Sequence, residues 1–480
     1  MTPFAVLLTV VAYFAVMLLI SWLSSRGNDN SGFFTGGRKS RWWIVAIAMI
    51  GSSMSGVTFV SVPGMVGTSA MGYLQMCLGF FLGYLVIAYV LTPLYFRLNV
   101  VSIYEYLEKR FGVSAYKTGA WFFFISKILG ASVRLFLVCL TLQLLVFEPM
   151  GLPFWLNVAI SAAIVLLYTY RGGVKSIIWT DTLKTVCMIV AVVLCIVFIA
   201  KDLGLDGKGL VATIRGSGMS RIFFFDDVNH PQYFFKQLLG GLFTVVAMTG
   251  LDQDMMQRTL SCKNVKDSQK NLITSSLMQI VVIFFFLCLG VLLYTYAGAR
   301  GIAETGDKLF PAVATSGQLP MIVGILFVIG LVSCAYSAGG SALTSLTTSF
   351  TVDILGTKGK SEEEVTRTRQ RVHLLMAVGM GVVIYVFSLL NNTSAIDAVY
   401  KLASYTYGPI LGMFAFGILT RKQVHDKWVP LVAIIAPILC LILQTHSEQW
   451  FGGYKFSYEL LLFNALFVFI GLCCLIRKDR

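Results

Sequence analysis

Apolar residues recur in long runs along the chain, and each run is about as long as a helix needs to cross a bilayer. Short polar stretches separate the runs. The pattern predicts an all-α, polytopic membrane protein with about 13 transmembrane helices. We place these helices at 3–23, 41–66, 69–97, 117–147, 152–170, 178–201, 233–260, 270–297, 319–350, 367–391, 396–419, 427–445 and 457–476.

Positive charge is distributed unevenly between the two sides that these runs define. Most of the 37 lysine and arginine residues fall in loops on one side, which include 24–41, 258–270 and 351–371. Because cytoplasmic loops carry the excess of positive charge, we expect this side to face the cytoplasm. The N-terminus is then outside, the C-terminus is cytoplasmic, and the protein is expected in an inner (plasma) membrane.

Composition excludes most other classes of protein. Only 12% of the residues are charged and 57% are hydrophobic, whereas a soluble protein carries roughly 25% charged residues. The net charge of +14 lies in short loops without a nucleic-acid motif, so we expect no nucleic-acid partner. The sequence has no phosphate-binding loop, nucleophile elbow or zinc motif. We therefore predict a protein that is not an enzyme and that carries no cofactor.

Two of the predicted helices contain residues that interrupt a helix at membrane depth. The run 41–66 contains the glycine- and serine-rich stretch Gly51–Gly56, and the run 233–260 contains a second candidate break at Ala247–Asp252. Irregular backbone survives at this depth only where it lines a cavity or is buried in protein. The first break therefore indicates either a binding site or a packing seam of small residues.

The spacing of the two breaks indicates internal symmetry. They lie in the second and the seventh runs, five helices apart, which is typical of an inverted repeat of two five-helix halves with the site between them. The halves are 41–201 and 233–419. One extra N-terminal helix at 3–23 precedes them, and two C-terminal helices within 427–476 follow, so the 480 residues form one transmembrane domain.

At several positions the chain resembles the sodium:solute symporter family. The residues that carry the resemblance are Gly172-Gly173-Val174, Trp179-Thr180-Asp181, Gly250-Leu251-Asp252-Gln253, Gln257-Arg258, Ser337 to Ser345 followed by Thr351-Val352-Asp353-Ile354, and Gly408-Pro409-Ile410-Leu411-Gly412. The resemblance extends through the whole chain and implies a LeuT-type fold that works by alternating access. It also implies sodium-coupled symport of a small organic solute. The expected partners are then the solute, sodium as the coupling ion and the lipid bilayer, with no obligatory protein partner.

The resemblance implies a sodium site between the first broken helix, 41–66, and the eighth helix of the two-repeat core, 319–350. The family's ligands fall on Gly51, Met54, Cys334, Ser337 and Ala338. Ala338 departs from the family pattern, which has a serine there. Because an alanine offers no side-chain oxygen, we expect weaker sodium binding unless another group replaces it.

A second cation site is implied around Asp181, with Ser337 and Ser341 as further ligands. Gly340 departs from the family's second serine. A carboxylate inside a membrane helix is costly and usually serves an ion path or an ion pair. The alternative is that Asp181 is simply an aspartate near the start of a helix at the inner interface.

Lys184 lies one turn beyond Asp181, where the family commonly has glutamine. The lysine can form a neutralising pair with the aspartate, or it can extend its ammonium to the interface. The sharper hypothesis is that its ammonium stands in for a sodium ion and that its protonation drives transport. Lys184 is thus the candidate coupling residue of a proton-coupled or uncoupled carrier.

Polar side chains at the breaks and on neighbouring helices are candidates for the substrate site. They are Ser52, Ser53, Ser55, Thr58, Tyr73, Gln75, Arg134, Asp252 and Gln253. Arg134 lies deep in the run 117–147, where an arginine needs an anion on the substrate or an internal partner. The solute is then either acidic (a sialate, a uronate or another carboxylate) or neutral, with a structural Arg134. A membrane sensor built on a transporter fold is the alternative of another functional class.

Overall fold

All the regular elements that the structure describes are helices, so the predicted all-α fold is confirmed. The structure is a computed structural model. The residues that it describes are 3–24, 30–170, 173–228, 230, 232–357, 359–390, 395–451, 456 and 459–477.

The N-terminal half of the chain contains two helices of 30 residues, α8 and α10 in the list that follows, and several shorter ones. Its helices are α1 (Pro3–Ser24), α2 (Asn30–Thr35), α3 (Trp42–Ser53), α4 (Gly56–Ser69), α5 (Tyr73–Val86), α6 (Thr92–Leu98), α7 (Glu105–Arg110), α8 (Val113–Leu142), α9 (Phe154–Thr169), α10 (Gly173–Asp202) and α11 (Gly207–Gly216). Turns of π-helix at Ile87–Leu91 and Gln143–Phe147 connect α5 to α6 and extend α8.

The C-terminal half contains the longest helix and the most buried one. Its helices are α12 (Phe234–Val245), α13 (Gln253–Thr259), α14 (Val265–Arg300), α15 (Leu309–Thr315), α16 (Met321–Ser349), α17 (Glu362–Leu390), α18 (Ala395–Leu419), α19 (Val429–Trp450) and α20 (Leu460–Cys474). Each predicted apolar run overlaps one of these helices or a consecutive pair of them. Several helices begin before the predicted limits, among them α8, α10, α14 and α17.

The number of membrane spans is bounded by helix length and hydropathy. In the described part of the chain, nine helices are long and apolar enough to cross a bilayer, and eleven spans result if each of two bent helix pairs counts as one. Two further apolar helices, α9 and α20, are shorter, with 16 and 15 residues. The count of about 13 therefore stays a prediction.

Both predicted helix breaks are present. The axis changes by 59° between α3 and the Thr58–Ser69 part of α4, and by 73° between Phe234–Gly250 and α13. At the first break Met54 is extended, with φ −97° and ψ 106°. At the second break, Asp252 is extended and accepts hydrogen bonds from the first backbone N–H groups of α13. Each break thus leaves helix ends at the depth of the surrounding helices.

The centre of the molecule is α16, whose residues between Val323 and Ser349 are almost all buried. It contacts α3, α4, α8, α9, α10, α13 and α17. Small and hydroxyl-bearing side chains on α16 allow so many neighbours to approach, because they take little space and satisfy their hydroxyls on carbonyls of their own helix. The hydroxyl-bearing side chains of α16 are therefore buried among helices.

Helices α5 and α12 cross closely, with glycines facing each other. A β-carbon added at Gly241 would overlap the carbonyl oxygen of Met76 and would lie 3.2 Å from the Cα of Gly79. Neither backbone can yield without moving a whole helix. Close backbone approach of this kind is how small residues hold membrane helices together.

We predict that Gly241→Ala destabilises the protein by about 1–3 kcal/mol, because the added methyl group overpacks this crossing. The measurement is thermal unfolding of the detergent-solubilised protein. The matched control is Gly298→Ala in α14, where a β-carbon meets nothing within 4 Å. Equal unfolding temperatures for the two variants would contradict the packing described here.

Candidate functional site

A cavity opens beside the first helix break, and its described lining residues come from nine helices and from both breaks. The lining includes Ser52, Ser53, Ser55, Thr58, Tyr73, Lys127, Arg134, Asp252, Asp254, Ala338 and Tyr407. The predicted substrate residues Ser52, Ser53, Ser55, Thr58, Tyr73, Arg134 and Asp252 are therefore brought together. The unwound backbone between α3 and α4 forms part of the wall, which is the setting that irregular backbone at this depth requires.

Gln75 and Gln253 are not among the described residues that line this cavity, and both make structural hydrogen bonds elsewhere. Gln75 is fully buried, accepts from the backbone N–H of Phe224 at 3.0 Å and donates to the carbonyl of Gln232 at 2.9 Å. Gln253 accepts from the N–H of Ile103 at 2.9 Å and donates to the carbonyl of Val101 at 3.0 Å. Their amides satisfy irregular backbone, a role that the sequence did not reveal.

The residues of the implied sodium site lie on two helices that contact each other. Gly51 and Met54 are at the end of α3, whereas Cys334, Ser337 and Ala338 are on α16. Because α3 ends at Ser53, the carbonyls of its last turn have no partner within the helix. The Ser337 hydroxyl is buried and has no hydrogen-bond partner among the described residues.

A chain of alternating charges runs from the cavity to the middle of α10. In order, its members are Lys127, Asp254, Arg258, Asp181 and Lys184, with Asp252 as a second partner of Lys127. Successive nitrogen–oxygen distances are 2.8 Å, 3.2 Å, 3.3 Å and 3.1 Å, and the bond from Lys127 to Asp252 is 3.1 Å. Every side chain in it is at most 10% exposed. Three cations and three anions compensate one another.

Asp252 holds the second break in place through several contacts. Its carboxylate caps α13 by accepting from the N–H groups of Asp254 at 2.8 Å and Met255 at 3.3 Å. It also accepts from the Lys127 ammonium and from the Tyr407 hydroxyl. Donors from α8, α13 and α18 therefore fix the position of Asp252 at the start of α13.

Asp181, predicted to hold a second cation, is fully buried and has both carboxylate oxygens in use. One oxygen accepts from Lys184, and the other contacts Arg258 and accepts from the Ser52 hydroxyl at 3.0 Å. Ser341 instead donates to the carbonyl of Ser337, one turn earlier on its own helix, at 3.0 Å. The helix-start alternative does not hold, because α10 begins two turns before Asp181, at Gly173.

Sequence reasoning missed three members of this network. Arg258 falls in a stretch counted with the cytoplasmic loops, yet only 1% of it is exposed. Asp254 and Lys127 were not assigned to a site. The sequence did contain a signal for them, namely a charged residue within an apolar run. Such a residue needs an opposite charge elsewhere in the fold.

Arg134 differs from the cations of this ion-pair chain. It is half-buried and lines the cavity, but no carboxylate lies within 4 Å of it in the described ranges. Lys127, Lys184 and Arg258 each have at least one carboxylate partner. Arg134 therefore adds one positive charge to a chain of ion pairs that is neutral without it.

Two broken helices meet at one polar cavity, and this arrangement is typical of secondary transporters. The model of the sodium:solute symporter family matches residues 33–426. The chain belongs to the sodium:solute symporter family, and the expected class of membrane transporter is confirmed.

Similar proteins of known sequence agree with this assignment. The chain is 26% identical to the sodium/sialic acid symporter NanT of Aliivibrio fischeri, over 92% of this chain and 88% of that protein. It is 24% identical to the sodium/sialic acid symporter SiaT of Proteus mirabilis, over 91% and 88% of the two chains. It is 25% identical to the human sodium/iodide cotransporter, over 84% of this chain and 64% of that one.

Solved structures agree on the fold. A substrate-bound, outward-open Na+-coupled sialic acid symporter with a novel Na+ site superimposes with a TM-score of 0.82, at 20% identity over 99% of both chains. Mhp1, a nucleobase-cation-symport-1 family transporter, superimposes with a TM-score of 0.57, at 12% identity over 92% of this chain and 94% of that one. The LeuT-type inverted-repeat fold is thereby confirmed.

We predict that Lys127→Met destabilises the protein by about 3–5 kcal/mol, because it leaves Asp252 and Asp254 buried beside each other without their shared cation. Thermal unfolding in detergent is the measurement. The matched control is Arg300→Met, whose partner Asp202 is 2.7 Å away in an exposed pair and should contribute less than about 1 kcal/mol. A loss no larger than that of the control would show that the network is not needed for folding.

Proposed function

We propose that this protein is a sodium-coupled symporter of a small organic acid and that Arg134 binds the carboxylate of the solute. The observation that carries the proposal is the Arg134 guanidinium in the wall of the cavity, which has no carboxylate within 4 Å among the described residues. A guanidinium offers a planar pair of N–H donors that matches a carboxylate in geometry and charge. An anionic solute supplies the negative charge that no described residue places beside Arg134.

Charge balance supports an acid over a neutral solute. The ion-pair chain from Lys127 to Lys184 is neutral as a whole, so Arg134 is an excess positive charge next to apolar helices. A neutral solute would leave that charge uncompensated when the cavity closes and water is expelled. A carboxylate removes the cost and favours the closed state with solute bound.

The names of related proteins support the same chemistry. The relatives include symporters of sialic acid, a cotransporter of iodide and sodium-coupled monocarboxylate transporters. Each of these named solutes is an anion at neutral pH. Sialic acids and monocarboxylates carry the carboxylate that Arg134 is suited to bind.

Sodium coupling is supported by the oxygens at the first break. Unwound carbonyls at a helix end, together with hydroxyls of a facing helix, are the ligands that LeuT-type carriers offer to sodium. Here Gly51 and Met54 supply carbonyls, and Ser337 supplies a buried hydroxyl without another partner among the described residues. An ion bound between α3 and α16 stabilises one arrangement of these helices and so couples its gradient to the solute site beside Ser52.

We expect Arg134→Gln to lower uptake of the transported acid by about tenfold to a hundredfold, the effect of losing a hydrogen bond to a charged group. The assay is tracer uptake into proteoliposomes under an inward sodium gradient. The panel is N-acetylneuraminate, glucuronate and lactate, each with a neutral counterpart such as the methyl ester or the parent sugar. Choline replaces sodium in the blank.

The matched control for this assay is Arg215→Gln in α11, where the arginine is exposed and outside the cavity. Undiminished uptake of the acid by Arg134→Gln, or an equal loss for acids and neutral analogues, would contradict carboxylate binding by Arg134. Uptake that is equal in sodium and choline would contradict sodium coupling.

The positive-inside bias supports an inner (plasma) membrane location with the N-terminus outside and the C-terminus in the cytoplasm. A green fluorescent protein fused after residue 480 should then fluoresce in bacterial cells, whereas alkaline phosphatase fused there should be inactive, since each folds only on its own side. The reverse pair of signals would contradict this orientation.

A further inference from the structure

The Lys184 ammonium is held by three oxygen acceptors from three helices. It is 3.1 Å from a carboxylate oxygen of Asp181 on its own helix, 3.2 Å from the carbonyl oxygen of Tyr336 on α16, and 3.5 Å from the hydroxyl of Tyr168 on α9. It also lies 4.5 Å from the centre of the Tyr168 ring. Only 1% of the side chain is exposed.

The donors and acceptors match a charged lysine. The Tyr168 hydroxyl donates its own proton to the Tyr336 carbonyl, so it presents a lone pair to Lys184. Three acceptors then meet the three N–H groups of an ammonium, whereas a neutral amine has only two. The Tyr168 ring adds a favourable cation–π contact. The only other charged group at this carboxylate among the described residues is Arg258, on the opposite oxygen of Asp181.

Gly340 completes this arrangement. A β-carbon at this position would overlap the Tyr168 hydroxyl, so no serine fits there while Tyr168 keeps its place. Position 340 is the one at which the resemblance implies a serine ligand of the second cation site. Lys184, Tyr168 and Gly340 therefore form one set, in which a lysine and a tyrosine occupy the space that an ion and a serine would need.

We propose that the Lys184 ammonium is a permanently resident cation at the Asp181 site, so that this transporter binds sodium only at the first site, between α3 and α16. The inference rests on the proposed function, whose sodium site it leaves in place. The buried Ser337 hydroxyl remains available to that first sodium ion. The second cation of the cycle is built into the chain and is not exchanged with solution.

The first test measures how sodium stabilises the purified protein. Unfolding temperatures are recorded in detergent across a titration of sodium chloride, with choline chloride at equal ionic strength as the reference. The wild type should follow binding of a single ion. Lys184→Gln should be less stable in choline and should recover with sodium, because the vacated space beside Asp181 then takes an ion. Its titration should be steeper than that of the wild type.

Two variants separate this outcome from a general loss of packing. Lys201→Gln, at the exposed end of the same helix, should titrate like the wild type. The double variant Lys184→Gln/Asp181→Asn removes the pair without leaving a net charge, so it should fold and should show only the response of the first site. If Lys184→Gln is destabilised equally in sodium and in choline, Lys184 is merely half of a structural ion pair and the proposal fails.

The second test counts ions directly and is independent of the solute. Equilibrium binding of ²²Na+ to the purified protein should saturate at one ion per chain for the wild type. The triple variant Tyr168→Ala/Lys184→Gln/Gly340→Ser should bind two, because it removes the Tyr168 ring, whose Cζ lies 2.5 Å from a β-carbon at position 340, and so restores room and ligands. A wild type that binds two ions would overturn the proposal while leaving sodium symport intact. A wild type that binds none would contradict the proposed sodium coupling itself.

A proton gradient provides the last discriminating measurement. A resident ammonium keeps its proton throughout the cycle, so an inward proton gradient without sodium should drive no accumulation of the acids in the uptake panel. Proton-driven accumulation that Lys184→Gln abolishes would overturn the proposal, because the lysine would then release its proton in each cycle.

Discussion

The arrangement of the central helices depends on a buried chain of ion pairs that joins α8, α13 and α10. Charges taken out of water are costly unless opposite charges and hydrogen bonds compensate them at close range. Here every charge in the chain has such a partner, and the partners come from different helices. The helices can therefore meet only in an arrangement that keeps all the pairs together. This constraint fixes α13 against α10 and holds the second break open towards the cavity.

The first break is held by a different set of contacts, and the two sets share Asp181. The Ser52 hydroxyl donates to the same carboxylate that pairs with Lys184 and Arg258. Movement of the unwound segment between α3 and α4 is therefore linked to the charges of the second half through one buried group. A carrier needs a link of this kind, because an ion at one helix break must alter the state of a solute site formed partly by the other.

In the proposed function, Arg134 sets the chemical preference of the cavity, because it lines the cavity but is not part of the ion-pair chain. If every charged side chain at the cavity were in an ion pair, the cavity would favour neither anions nor cations. An unpaired guanidinium beside a neutral network favours anions, and its planar donors favour carboxylates among them. In the proposed function, selectivity and coupling arise from neighbouring groups with different degrees of charge compensation: the protein supplies the partners of Lys184, and the solute supplies the partner of Arg134.

The sequence by itself determined the membrane setting, the helical class, the approximate positions of the long apolar helices and both breaks. These features follow from local properties: runs of apolar side chains, and glycine and serine where a helix cannot continue. It also identified Asp181, Lys184 and Arg134 as unusual, since a charge in an apolar run is visible without a fold.

Only the tertiary structure decided their partners. The pairing of Asp181 with Arg258, of Lys127 with Asp254, and of Lys184 with Tyr168 and Tyr336 joins residues that are distant in sequence. Gln75 and Gln253 were predicted to line the cavity but bind backbone groups elsewhere, for the same reason. Local patterns show that a polar group needs a partner, but they do not show which helix supplies it.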